Sequence, residues 1–252
     1  MNDAAARALH RFLALTETTL ESHVADRAVT LHCLASHAPE FFEEHALQPK
    51  LDEALERLAT IPATFPPALS WELVMARLDA LYFRALYGLP NPELPADDLR
   101  AACARITQES LLVGWLVSEL AGALGVDVEV PDASSLTAGE RSYWRTHQVL
   151  LWTCYLRDPL DLELAKDALD ELERSLPTRL LFAQWDPAAE MIFCLQAGGR
   201  EVSVEHLETL RRQQQPEGHF TDSEDADERE VAHCTAVCLI ALSRRSRHPT
   251  AG

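Results

Sequence analysis

The chain has 252 residues, with 22 Lys and Arg against 40 Asp and Glu, and a formal net charge of −18. That balance argues against a nucleic-acid binder, which needs clustered cations along a phosphate backbone, and against attachment to an anionic membrane surface. No apolar run approaches the roughly 20 residues that span a bilayer. The stretch from Met1 to Leu20 lacks the apolar core and small-residue cleavage site of a secretory signal, so the expectation is a cytoplasmic protein.

Leucine and alanine abound, glycine is scarce, and apolar residues recur with the 3.6-residue period of a helix. In chain order, helices are expected at about 3–22, 25–44 and 51–60, the last stopped by Pro62. A fourth follows Ser70, an N-cap residue type, and ends at Gly88. A proline-rich linker then leads to a helix at about 96–106, followed by others at about 111–124, 138–156, 162–176, 187–197, 204–215 and 227–243. That makes about eleven helices and an all-α fold. The one β-like stretch is Val126 to Val130, before Pro131. Cys33, Cys103, Cys154, Cys194, Cys234 and Cys238 form no CxxC pair and read as reduced, core-filling thiols.

Three later helices each carry a polar residue at the head of an apolar run. His147 precedes Gln-Val-Leu-Leu-Trp, Glu190 precedes Met-Ile-Phe-Cys-Leu, and His233 precedes Cys-Thr-Ala-Val-Cys-Leu, with successive members 43 residues apart. A period in the forties, with apolar and amphipathic helices alternating, marks a helical-pair repeat, either an open solenoid or a closed α/α barrel. Equal phase in equal repeats puts the three residues at equal height. No boundary divides the chain, so residues 1–252 read as a single domain.

Between the last two amphipathic and apolar helices the sequence runs through Gln215, Gly218 and Phe220 to an acidic loop, then to His233-Cys-Thr-Ala-Val-Cys-Leu. This segment resembles the repeat of the terpenoid cyclase and protein prenyltransferase superfamily. There an outer helix ends in Gln, Gly-x-aromatic follows, and an inner helix of His-Thr-Ala-x-x-Leu type comes next. The chain is also similar to actinobacterial helical proteins whose relatives accompany natural-product gene sets. The resemblance covers one repeat well and about the last 110 residues loosely. It implies an α/α toroid, small or incomplete, with inner helices lining a central cavity. The superfamily's chemical motifs are not reproduced. Asp222-Ser-Glu-Asp225 departs from Asp-x-Asp-Asp, Asp97-Asp98 continues with Leu-Arg-Ala-Ala, and the prenyltransferase Asp-x-Cys pair is missing.

On this reading His147, Glu190 and His233 are the catalytic candidates, as acid/base groups at one pocket. The alternative is that they only fix packing. Tyr143, Trp144, Glu119, Asp222 and Phe193 are candidate substrate contacts. Without a cofactor the site does proton transfer; with zinc or iron, the same His147, Glu190 and His233 would be the ligands. The expected function is a small-molecule enzyme of specialised metabolism, catalysing cyclisation or isomerisation of an apolar, polyketide, terpenoid or peptide-like substrate. The alternative is a helical-repeat carrier, scaffold or resistance protein that binds a ligand or protein partner without turnover.

Overall fold

In a computed structural model, which describes residues 3–244, twelve α-helices follow one another. They are α1 (Asp3–Leu15), α2 (Glu21–His37), α3 (Pro39–Glu44), α4 (Gln48–Leu58), α5 (Trp71–Leu86), α6 (Ala96–Glu109), α7 (Leu111–Ala123), α8 (Ala138–Trp152), α9 (Lys166–Leu181), α10 (Trp185–Ala197), α11 (Val204–Arg212) and α12 (Glu228–Ser243). Among the described residues there is no strand, and none forms at 126–130. No helix among them is long and apolar enough to cross a membrane.

The helix starts follow local chemistry. Ser110 caps α7 and Ser203 caps α11. Thr137 with Glu140 and Asp227 with Glu230 form reciprocal capping boxes at α8 and α12, each satisfying orphan amides of the first turn. The expected helix at 25–44 is two helices. Pro39 opens α3 at its first position, and Ala38 before it leaves the helical region at φ −134°, because the proline ring crowds the preceding residue. The expected stop at Pro177 does not occur. α9 runs on to Leu181, since burying Leu176 and Leu180 offsets the hydrogen bond that proline forfeits.

Six helices are neighbours in a cyclic order: α2 packs on α5, α5 on α7, α7 on α8, α8 on α10, α10 on α12, and α12 returns to α2. The others lie against them. α1 packs on α12, α4 on α2 and α5, α6 on α7, α9 on α8 and α10, and α11 on α9 and α12. Sequence explains the division. α10 and α12 are apolar on nearly all sides, and almost every residue from Ala188 to Leu195 and from Cys234 to Ser243 is buried. A helix apolar all round must be enclosed. By contrast, α4 and α11 bury one stripe only, Leu51, Ala54, Leu55 and Leu58 in the first, Leu207 and Leu210 in the second. A large core links α1 to α5 with α8 to α12, and a second cluster holds α5, α6 and α7 together through Leu78, Leu99 and Val117.

The α11–α12 connection ties the last helices to the first. Gly218 sits at φ +97°, and a Cβ there would come within 2.8 Å of the Arg7 carbonyl, so only glycine fits the turn. Gln214 supplies the anchor: its side chain bonds Arg7 and the carbonyls of Ala4 and Gly218. Phe220 is fully buried, and its amide is held by Thr235 Oγ1 at 3.0 Å.

Candidate functional site

A cavity of about 430 Å³ lies among the cyclically packed helices, with walls from α2, α5, α7, α8, α10 and α12. Val29, Met75, Leu116, Leu150, Phe193 and Val237 give it an apolar body. A mostly apolar chamber with a few convergent polar groups is the common form of a small-molecule site. The polar groups here are strongly biased. Seven carboxyl side chains line the cavity against one guanidinium, that of Arg229. At the rim Arg229 lies 5.8 Å above the Trp71 ring and 3.9 Å from Glu72, joining the start of α12 to the start of α5.

The structure brings His147, Glu190 and His233 together. Thr137 and Asp227 cap α8 and α12, and the equal spacing then delivers each residue to the same end of the chamber. His147 Nδ1 is 3.6 Å from Glu190 Oε2. Glu190 is almost fully buried, and Thr146 Oγ1 lies 2.6 Å from its Oε2 and 2.6 Å from the Tyr143 carbonyl. One hydroxyl proton serves both contacts only if Glu190 donates a proton of its own. Burial pushes Glu190 in that direction, up to about 7, against the opposing pull of Thr146 and His233. Burial likewise depresses His147 to about 4, opposed by the Tyr143 carbonyl at 3.2 Å. With Nδ1 donating to that carbonyl, Nε2 carries the lone pair.

Sequence reasoning missed the nearest partner of this trio. Asp186 precedes Glu190 by one helical turn, so both carboxyls share a face of α10. Its Oδ1 is 3.5 Å from His233 Nε2, is shut off from solvent, and makes no hydrogen bond. Asp186, Glu190 and His233 each offer a ligand atom, all within 4.8 Å of one another. Among the described residues, that set, with Asp186 in place of His147, brings its ligand atoms close enough together to hold a metal ion. Asp26 of α2 approaches His233 Nδ1 from the other side at 3.9 Å. Burial disfavours the imidazolium, yet Asp186, Asp26 and Glu190 reverse this and raise His233 to about 10. Asp186 itself is raised to about 7 by burial, opposed by His233 and reinforced by Glu190 and Asp222.

A second polar pair, Asp79 and Tyr155, also lines the chamber. Tyr155 donates from its hydroxyl to Asp79 Oδ1 at 3.0 Å. Tyr155 reaches the cavity because the chain leaves α8 through three successive left-handed residues, Cys154, Tyr155 and Leu156, with φ of 48°, 56° and 70°. Such conformations cost about 1–3 kcal/mol each for non-glycine residues. They are held from α2: His32 Nε2 meets the Cys154 carbonyl at 3.1 Å, and Cys33 donates to the Tyr155 carbonyl at 3.6 Å. Nothing in the residue pattern signals this turn.

The remaining candidates are placed as follows. Tyr143 and Phe193 line the chamber. Asp222 borders it, but its Oδ1 accepts from the amides of Trp185 and Asp186 at 2.7 and 3.2 Å. It therefore works as the N-cap of α10 from a neighbouring loop. Trp144 is not brought to the cavity. It packs edge-on against Trp115 at 5.6 Å, with Arg145 over its ring at 4.4 Å. Glu119 opens instead onto a separate shallow hollow with Ser118 and Trp152. All six cysteines are free, and five are buried. Neither a family model, nor a curated protein, nor a solved structure matches the chain.

Proposed function

We propose that the protein is a small-molecule enzyme that encloses an apolar substrate and moves a proton on it, in a cyclisation or an isomerisation. The observation that carries this reading is the convergence of His147, Glu190, Asp186 and His233 at one end of a chamber whose body is apolar. Carboxyl and imidazole groups within reach of one enclosed ligand atom are the parts that general acid/base chemistry requires. Walls that exclude water keep a reactive intermediate from being quenched. The cyclic packing of α2, α5, α7, α8, α10 and α12 supports the α/α-toroid reading and with it a substrate from natural-product metabolism.

The test works whichever product is formed. Untagged protein is incubated in heavy water with a panel of apolar polyketide, terpenoid and peptide-like compounds, and each is examined by mass spectrometry and chromatography. The expected result is deuterium incorporation or a new isomer for one compound class, falling by about 10²–10⁴-fold in Glu190→Gln. The second reading, a non-catalytic carrier or resistance protein, draws on the apolar lining alone. Compounds that stabilise the protein thermally and are recovered without exchange or conversion would establish it and overturn the enzyme reading.

A further inference from the structure

We propose that Asp186, Glu190 and His233 bind a divalent first-row metal ion, and that His147 is not a ligand. The three donor atoms come from two helices and lie within 4.8 Å of one another. Around a tetrahedral ion with bonds of about 2.0–2.2 Å, neighbouring donors stand about 3.3–3.6 Å apart; Asp186 Oδ1 and His233 Nε2 already lie at 3.5 Å, and the set closes with a movement of about 1–1.5 Å. The Oδ1 of Asp186 is buried without a hydrogen bond and faces His233 Nε2 at 3.5 Å, so an ion held between the two would satisfy an oxygen that is otherwise left without a hydrogen-bond donor.

The groups behind the donors are those that hold metal ligands in place. His233 presents Nε2 to Asp186 while Asp26 stands behind Nδ1, the carboxylate–imidazole arrangement that fixes a ligating ring. Thr146 can turn its hydroxyl to Glu190 Oε2. Asp222 clamps the first amides of α10, at Trp185 and at Asp186 itself, and so sets the start of the helix that carries both carboxylates. The charge of the chamber points the same way, because seven acidic side chains face a single guanidinium. One imidazole and two carboxylates suit zinc, iron(II) or manganese(II) over calcium, which prefers oxygen alone, and over copper(I), which prefers sulfur.

The inference shares its residues with the proposed reaction but does not depend on it. With the ion in place, Glu190 and His233 serve as ligands. The cation would polarise a substrate oxygen as a Lewis acid, and His147, beside Glu190, is left as the free base.

The experiment uses metal alone, without substrate. Untagged, EDTA-dialysed protein is titrated with manganese(II), followed by electron paramagnetic resonance of the free ion, and with zinc(II), followed by calorimetry and thermal melting. One saturable site per chain is expected, with a metal-dependent rise in melting temperature. Asp186→Ala and His233→Ala should weaken binding at least about 100-fold, whereas His147→Gln should keep it within about threefold. Metal-free Asp186→Ala and metal-free wild type are melted side by side, and a variant that still unfolds in one cooperative transition separates lost ligation from lost folding. No saturable binding of either ion at millimolar concentration would overturn the proposal. So would a site that survives Asp186→Ala but is lost in His147→Gln. Metal binding without turnover would leave this site intact while removing the enzyme reading; exchange activity in protein that binds neither ion would do the reverse.

Discussion

Replacing Asp79 by asparagine should remove a loss of stability that the wild-type protein suffers between acid and neutral pH. Burial raises Asp79 from 3.8 to about 7; the hydroxyl of Tyr155 opposes this, Asp26 adds to it and His233 subtracts. The unfolded chain gives up this proton near 3.8, while the folded chain keeps it until about 7. Across that window the unfolded state binds fewer protons, so this carboxyl makes stability fall as pH rises, and the penalty is complete above the folded value. A displacement of that size corresponds to on the order of 4 kcal/mol at most. Asparagine keeps an acceptor for Tyr155 and has no proton to lose. Urea unfolding at about pH 4 and about pH 8, followed by far-ultraviolet circular dichroism, measures the difference. Groups that do not touch Asp79 cancel between the two proteins. The variant should gain about 2–4 kcal/mol on wild type from the lower pH to the higher. A difference that stays constant to within about 1 kcal/mol would show that Asp79 is ionised at no cost, and the account of its burial would be wrong.

Two further substitutions test how the site is held. Gly218→Ala should cost about 2–4 kcal/mol in urea unfolding, since φ +97° strains any side chain and the new Cβ meets the Arg7 carbonyl; a loss below about 0.5 kcal/mol would mean the turn can relax. Asp222→Ala should lose about 1–2 kcal/mol as the cap of α10, and should also weaken manganese(II) binding about tenfold by loosening Asp186. An unchanged metal affinity in that variant would disconnect the cap from the ligands.

Helix positions were legible because prolines and capping residues mark most of the ends, and because the apolar period survives through α10 and α12. The grouping of His147, Glu190 and His233 was legible for a simpler reason: equal spacing preserves phase, and all three helices belong to the cyclic set. Asp186 was hidden by Pro187, which suggested that the helix began later. Proline is tolerated within a first turn whose amides have no helical partner, so α10 starts at Trp185 and gains the carboxylate. Residue Glu190 did point back to it, one turn away. Asp26 and Asp79 lie in the first half of the chain, where no repeat relates them to the trio; only long-range packing of α2 against α12 and α5 brings them in. Tyr155 depends on a backbone conformation that its residue types disfavour, which local propensity cannot foresee.

The meeting of α12 with both α1 and α2 has a bearing on biosynthesis. A ribosome releases α2 long before α12 exists, so the wall carrying Asp26 waits for the wall carrying His233 while nearly two hundred residues are made. Until then the apolar faces of α2 and α10 lack their final partner and are exposed to aggregation or to chaperones. The chamber thus closes only once α12 has been made, and its acidic side chains are desolvated together in that one step.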